Sequence, residues 1–212
     1  MNLFVFPYLS AFSQLVVVLV VVYCRKQLTL EMKILAAYFV LGLAFDFVQV
    51  TLARNDIPNL WVSQTFTPIQ FVLLMLVFYF WNKESIMRGV ILALIPVFIL
   101  VWTTGSAWFS TLATIQSYMD PISGLILILI SSYTLLRIER LEGRSVLEVS
   151  AFWVSSATII YFGGTVVLSS LSGALLKTSL ETMRLAWSMQ SIATILANLM
   201  FSGGFLCLRQ KT

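Results

Sequence analysis

The stretch AAYFVLGLAFDFVQVTL (residues 36–52) is apolar along almost its whole length and carries one carboxylic acid, Asp46. With its flanking residues it approaches the ~20 apolar residues that a helix needs to cross a bilayer. An ionisable side chain at the centre of a membrane costs ~3 kcal/mol or more, so such a residue is by default a candidate functional site. This segment is central to the interpretation of both the fold and the function of the chain.

Composition places the protein in the membrane class. Of its 212 residues, 59% are hydrophobic and 10% are charged, and the mean hydropathy is +0.95. An ordinary soluble domain has about 25% charged residues. The formal net charge of +4 reflects basic cytoplasmic loops, which are usual in membrane proteins. We therefore predict the lipid bilayer as a partner, and no nucleic acid.

Hydropathy predicts an all-α integral membrane protein whose single domain, residues 1–212, is a seven-transmembrane-helix bundle. The predicted helices are residues 3–24, 34–53, 60–81, 86–104, 111–136, 147–171 and 185–208. In the fifth helix, Asp120 and Pro121 either start a short helix as N-cap and N1 residues or lie within a longer, kinked one. The apolar residues 112–119 favour the longer helix, while N-capping near the outer headgroups is the favoured role for Asp120 itself.

The orientation follows from the distribution of lysine and arginine. Ten of these residues fall at one face, namely Arg25, Lys26, Lys33, Lys83, Arg88, Arg137, Arg140, Arg144, Arg209 and Lys211, and three at the other, namely Arg54, Lys177 and Arg184. Basic residues are enriched on the cytoplasmic side. We therefore expect the N-terminus outside, the C-terminus in the cytoplasm, and a multi-pass location in the inner (plasma) membrane of a cell.

Several polar residues share one predicted depth. At 1.5 Å per residue they lie roughly 17–21 Å from the basic border, and they are Gln14, Asp46, Gln70, Thr158, Tyr161 and Asn198. Small and polar residues recur at helical spacing around Asp46 and Asn198, so both side chains are expected to face the bundle interior. Two roles stay open for this layer: hydrogen bonding between helices, and the floor of a ligand site.

Further polar residues lie closer to the outer surface. They are Gln49, Gln64, Gln116, Asp120, Lys177, Glu181, Arg184 and Gln190. Together with the deeper layer they either line a cavity that is open to the outside or form an ordinary solvated rim. No lysine or arginine shares the depth of Asp46, and we therefore expect its carboxyl to be protonated.

The absence of histidine excludes several chemistries. The chain has no histidine, the residue on which zinc hydrolases and serine–histidine proteases of the membrane depend. The seventh helix has no lysine for a retinal Schiff base. A catalytic pair of Asp46 and Asp120 is disfavoured because their depths differ by about 5 Å. We predict a protein that is not an enzyme and that has no metal and no cofactor.

Three segments carry a resemblance to known proteins. They are IPNLWVSQTFTPIQFVLLMLVFYF (57–80), FWVSSATIIYFGGTVVLSSL (152–171) and NLMFSGGFL (198–206). The chain resembles small, uncharacterised seven-helix bacterial inner-membrane proteins and is distantly similar to the seven-helix sensor modules of histidine kinases. The resemblance implies a sensory role. The chain departs from the sensor kinases in ending at Thr212 with no kinase, and we expect a membrane or cytoplasmic signalling partner.

Three functions follow from these observations. The first is a receptor-like or sensory module with an outward-facing pocket for a small lipophilic ligand. Its expected lining residues are Asp46, Gln70, Gln14 and Asn198 at the floor, with Gln49, Tyr161, Gln190 and Asp120 around them. The second is a small transporter or proton-coupled permease in which Asp46 titrates. The third is a structural membrane subunit without a ligand.

Overall fold

Seven α-helices make up the described part of the chain. The computed structural model describes residues 5–108, 112–138, 145–175 and 179–208. The helices are α1 (Val5–Cys24), α2 (Leu30–Arg54), α3 (Leu60–Trp81), α4 (Ser85–Trp108), α5 (Leu112–Ile138), α6 (Ser150–Leu175) and α7 (Leu180–Leu206). Helices α2 to α7 are each long and apolar enough to cross a membrane, and α1 contributes a shorter apolar stretch, Leu9–Cys24. The protein is therefore an all-helical membrane protein.

Three helices begin at residues that hydropathy does not predict. Helix α2 begins at Leu30 rather than near residue 34, and Glu31 in its first turn suits the positive end of the helix dipole. Helix α7 begins at Leu180 rather than near residue 185, because the Oγ of Ser179 caps it by accepting from the backbone N–H of Thr182 at 3.3 Å. Such caps lie outside the apolar window, where a hydropathy scan has no signal.

Helix α6 begins later than predicted, at Ser150 rather than near residue 147. The residues before it form a short 3-10 turn, Val146–Glu148. The carbonyl of Leu147 in this turn accepts from the indole N–H of Trp153 at 2.7 Å and from the Sγ of Cys207 at 3.3 Å. These contacts with α6 and the end of α7 hold the turn in place of a first helical turn.

The longer form of the fifth helix is confirmed. Helix α5 runs through Pro121, which lies inside it. Asp120 is consequently not an N-cap, and that prediction was wrong. Its Oδ1 instead accepts a hydrogen bond of 2.9 Å from the hydroxyl of Thr67 on α3. The helix continues past the proline because only one backbone N–H is lost, and neighbouring groups in a membrane bundle compensate for such losses.

Six helices form a closed ring, and the seventh lies outside it. The order around the ring is α1, α7, α6, α5, α3, α2 and back to α1, with the α1–α2 interface the least extensive of the six. Helix α4 packs on the outer side of α3 and α5. Its main anchor is Phe98, whose ring stacks on that of Phe71 in α3 at 4.1 Å between centroids.

The core is densest at one end of the bundle. We call this end, where Arg25, Lys33, Lys83 and Arg137 lie, the basic end, and the opposite one the far end. The side chains with no exposed surface lie mainly in the basic half: Val17, Leu35, Leu74, Met75, Val77, Phe78, Ile91, Leu127, Val154 and Phe205. Helix α2 has no buried residue after Gly42, and the described side chains of α6 include none after Phe162. Helices α2 and α6 are therefore less buried toward the far end, whereas α3 keeps Val62 and Gln64 buried there, at 1% and 4% exposed.

Polar contacts tie α5 to the α3–α4 connection at the basic end. Arg137 pairs with Glu84 at 2.6 Å, and the hydroxyl of Tyr133 also donates to Glu84. One turn deeper, the amide of Asn82 donates to the hydroxyl of Thr134 at 2.9 Å, and both side chains are buried. These bonds fix the α3 and α5 ends against each other.

A candidate ligand-binding crevice

Asp46 lies on the inward face of α2 and is nevertheless exposed. The residues of this face are Leu35, Phe39, Gly42, Asp46 and Gln49, which recur at alternating spacings of four and three. Such spacing keeps side chains on one side of a helix. Leu35 and Phe39 are 0% and 3% exposed and Gly42 is buried, whereas Asp46 is exposed and Gln49 is half-buried. The same face therefore passes from a packed core into an open region toward the far end.

Gln14 of α1 holds Asp46 from across the α1–α2 interface. Its Nε2 donates to Oδ2 of Asp46 at 2.8 Å, and its Oε1 accepts from the backbone N–H of Leu43 at 3.0 Å. Glycine at position 42 permits this approach, because a Cβ there would lie 3.1 Å from the amide of Gln14 and 3.4 Å from Cζ of Phe66. The sequence thus brings the amide onto the helix backbone beside the carboxyl group.

Aromatic rings form the wall next to this pair. The Phe66 ring of α3 lies between two rings of α2, at 6.0 Å from Tyr38 in a stacked arrangement and at 5.0 Å from Phe45 in a tilted one. The Tyr38 side chain is only 8% exposed. Its hydroxyl lies within electrostatic reach of Asp46. The carboxyl group therefore adjoins an aromatic surface.

Helix α6 supplies the opposite wall. The Tyr161 hydroxyl lies within electrostatic reach of Tyr38, Asp46 and Asp120. These groups come from α2, α5 and α6, and Thr67 of α3 joins them through its bond to Asp120. We call the open region bordered by Gln14, Tyr38, Asp46, Phe66 and Tyr161 the crevice. Its bordering residues come from α1, α2, α3 and α6, and Tyr38, Phe66 and Tyr161 also pack on the hydrophobic core.

Two of the predicted site residues bind neighbouring helices instead. The Asn198 amide of α7 donates to the Ser13 hydroxyl of α1 at 2.9 Å, and both side chains are buried. The Gln190 amide donates to the Thr165 hydroxyl of α6 at 2.9 Å, while its Oε1 is buried without a hydrogen bond. The geometry gives these amides the role of interhelical hydrogen bonding.

The remaining predicted residues, Gln70 and Gln49, lie on α3 and on the next turn of α2. Gln70 is half-buried on α3, between the buried Thr67 and Leu74. Gln49 is half-buried one turn beyond Asp46, and its backbone carbonyl accepts from Asn59 at 3.1 Å, which secures the α2–α3 connection. Of the eight predicted residues, Gln14, Asp46, Tyr161 and Asp120 are thus the ones that the fold brings together most closely.

The sequence prediction missed the aromatic wall. Tyr38 and Phe45 lie eight residues before and one residue before Asp46, and both fall on or beside the inward face of α2. Their spacing relative to Asp46 is the feature of the sequence that identifies them. Phe66 has no such signal, because which α3 residue meets Gly42 depends on how the two helices pack.

The chemistry available in the crevice is that of one carboxyl group beside aromatic rings and phenol hydroxyls. Among the described residues, no lysine or arginine lies within ion-pair distance of Asp46, and no cluster of metal-binding side chains occurs. A separate surface cleft of about 400 Å³ at the basic end is lined by Leu147, Trp153 and Cys207 among others. It touches none of the predicted site residues.

Comparison of the chain with models of protein families, with curated proteins and with solved structures found no match. The crevice is therefore interpreted from its own residues and geometry.

Proposed function

We propose that the protein is a receptor-like membrane module that holds a small lipophilic ligand in the crevice. The observation that carries the proposal is the exposure of Asp46 on a helix face whose preceding turns are fully buried. An open region with a few convergent polar groups and mostly apolar walls is the usual form of a small-molecule site. Gln14 orients the carboxyl group from one side, which prearranges it for a ligand.

The proposed topology puts the crevice in contact with the outside. In this topology all seven helices cross the inner membrane, and the basic end lies in the cytoplasm because lysine and arginine are concentrated there. The far end then faces outward. A signalling partner, in line with the resemblance to sensor modules, would bind at the basic end.

The closed basic half supports a binding module over a passage through the membrane. Leu35, Leu74 and Phe78 lie on α2 and α3 just beyond the crevice, and none of the three has exposed surface. A ligand that enters from the far end meets this packed layer. Interiors of this density open only through rearrangement of whole helices.

A proton-coupled permease is the second candidate, and one observation favours it. Asp46 and Asp120 both lie within electrostatic reach of the Tyr161 hydroxyl, so two carboxyl groups share one polar neighbour. Intramembrane carboxyl groups that interact in this way are typical of proton relays. The replacement Asp46→Asn abolishes pH-dependent uptake into liposomes under this alternative, whereas a receptor has no such uptake to lose.

The crevice itself is tested by cysteine accessibility. In a background with Cys24 and Cys207 replaced by alanine, Gln49→Cys places a thiol at the crevice edge. Phe47→Cys places one on the lipid-facing side of the same helix, where Phe47 is 73% exposed. A membrane-impermeant methanethiosulfonate is applied to intact cells and, separately, to inside-out vesicles. We expect modification of Gln49→Cys alone, and from the outside alone, because thiols in hydrocarbon are not ionised.

Equal and low reactivity of the two thiols would contradict the proposal and favour a structural subunit with a filled interior. Modification of Gln49→Cys from both sides would favour the permease instead. A wild-type-like elution profile of each variant in size-exclusion chromatography establishes that the helices have assembled.

A further inference from the structure

We infer that the crevice binds a small lipophilic cation, an amine or quaternary ammonium compound whose charged group lies beside the Asp46 carboxyl and the half-buried ring of Phe66. This inference rests on the proposed function and specifies the class of its ligand. It is supported by the charge of the described residues, by the hydrogen bonding of Asp46 and by the aromatic wall.

Among the residues that the structure describes, the ionisable groups bordering the crevice are acids and phenols. They are the acids Asp46 and Asp120 and the phenols Tyr38 and Tyr161. Arg54, the nearest arginine to Asp46 along the chain, is exposed in the last turn of α2. Without a basic partner among the described residues, the charged form of Asp46 is costly in apolar surroundings, which is why the sequence predicts the neutral acid. A bound cation supplies the missing countercharge, while an anion would add to the repulsion.

One carboxyl oxygen of Asp46 is available to interact with such a ligand. Gln14 donates to one carboxyl oxygen, Oδ2. No further hydrogen bond from a described residue reaches the carboxyl group, and the side chain is exposed. The second oxygen thus accepts a hydrogen bond from a protonated amine, or interacts by charge alone with a quaternary ammonium group.

The aromatic wall suits the same ligand. Tyr38, Phe66 and Phe45 form a continuous row of rings with centroid separations of 6.0 and 5.0 Å. Aromatic faces attract cations within about 6 Å of the ring centroid, and combining them with a carboxylate is the usual way to recognise ammonium groups. The phenyl rings also offer apolar surface to the hydrocarbon part of the ligand, which accounts for the preference for a lipophilic cation.

A charged probe and its uncharged isostere test the inference. The probe is tritiated trimethyl(4-phenylbutyl)ammonium, and the isostere is (5,5-dimethylhexyl)benzene, in which carbon replaces the charged nitrogen. The full-length protein is placed in nanodiscs of zwitterionic lipid, and equilibrium binding is measured. We expect saturable binding of the ammonium compound and no competition by the isostere at equal concentration.

Variants locate the binding in the crevice. Asp46→Asn keeps an acceptor for Gln14 and removes the charge, and we expect it to weaken binding about tenfold or more. Asp56→Asn is the matched control, because Asp56 is exposed in the α2–α3 connection and asparagine tolerates its positive φ of 56°; binding should stay unchanged. Phe66→Leu should weaken binding about threefold or more through loss of the ring.

Two results overturn the inference: the absence of saturable binding to the wild type, and equal affinity of Asp46→Asn and Asp56→Asn. The cysteine experiment then distinguishes a wrong ligand class from a wrong proposed function. If Gln49→Cys is modified from outside and the probe fails to bind, the crevice is accessible as proposed but the ligand class is wrong. If both experiments fail, the proposed function fails with it.

Discussion

The side-chain amide of Gln14 donates a hydrogen bond of 2.8 Å to the carboxyl group of Asp46, and this bond crosses the least extensive interface of the six-helix ring. It links α1 to α2 at the level where the packed core ends. The bond serves two purposes at once, because it holds two loosely packed helices together and it fixes the orientation of the Asp46 carboxyl group.

Replacement of Gln14 tests the structural part of this role. Gln14→Leu removes the donor and leaves the Asp46 carboxyl without a hydrogen bond, so we expect a loss of about 1 kcal/mol in the free energy of unfolding. Asp46→Asn retains an acceptor and should cost less. Unfolding in mixed micelles with increasing denaturing detergent measures both, and a double-mutant cycle isolates the pair. Strict additivity of the two changes would show that the bond contributes nothing to stability.

The adjacent glycines of α6 offer a matched pair of variants. A Cβ at Gly164 would lie 2.5 Å from Oε1 of Gln190 and 3.3 Å from Cβ of Ala193, whereas nothing lies within 4 Å of one at Gly163. Gly164→Ala should therefore displace Gln190 from Thr165 and destabilise the protein by about 1–3 kcal/mol. Gly163→Ala should leave stability unchanged or raise it by up to ~1 kcal/mol through helix propensity. Equal melting temperatures of the two variants would contradict the packing of α6 on α7.

The ion pair at the basic end should matter little for stability. Arg137 and Glu84 pair at 2.6 Å, but both side chains are 46% exposed. Exposed pairs contribute about 0–1 kcal/mol because water and salt screen them. Glu84→Gln should thus change the unfolding free energy by less than about 1 kcal/mol, and the difference should shrink in high salt. A larger, salt-independent loss would mean that this contact is shielded from water.

Fusion reporters test the predicted orientation. The sequence predicts that ten of the thirteen lysine and arginine residues fall at the basic end, so we expect a green fluorescent protein fused after Thr212 to fluoresce in a bacterial host. Alkaline phosphatase fused at the same position should be inactive, because it folds only after export. The reverse pattern would place the basic end outside and would invert the proposed access to the crevice.

Depth was predictable from the sequence, but the partner of each polar residue was not. Counting residues from the basic border puts Gln14, Asp46 and Asn198 at nearly one level, and hydrogen bonds do join α1 to both α2 and α7 near that level. The rise along a helix fixes height alone. Which residues meet across an interface depends on the order of the helices around the ring. Asn198 consequently binds Ser13 rather than the carboxyl group.

The role of Asp120 shows the limit of local signals. An aspartate before a proline is typical of a helix start, and this pattern predicted an N-cap. In the folded protein the hydroxyl of Thr67, 53 residues earlier in the chain, donates to Asp120 within a continuous helix. Nothing near residue 120 in the sequence encodes that contact. The aromatic row beside Asp46 is of the same kind, since Phe66 enters it only because α3 packs against Gly42.

Helix α4 lies outside the ring, yet the direction of half of the bundle depends on it. Thr67 and Asn82 of α3 bond to Asp120 and Thr134 of α5 in the same order along the chain, so these two neighbours run parallel. Helices joined by a short connection run antiparallel. A parallel pair therefore needs one further crossing between its members, and α4 provides it. Without the additional crossing by α4, the helices α5, α6 and α7 would each run in the opposite direction across the membrane.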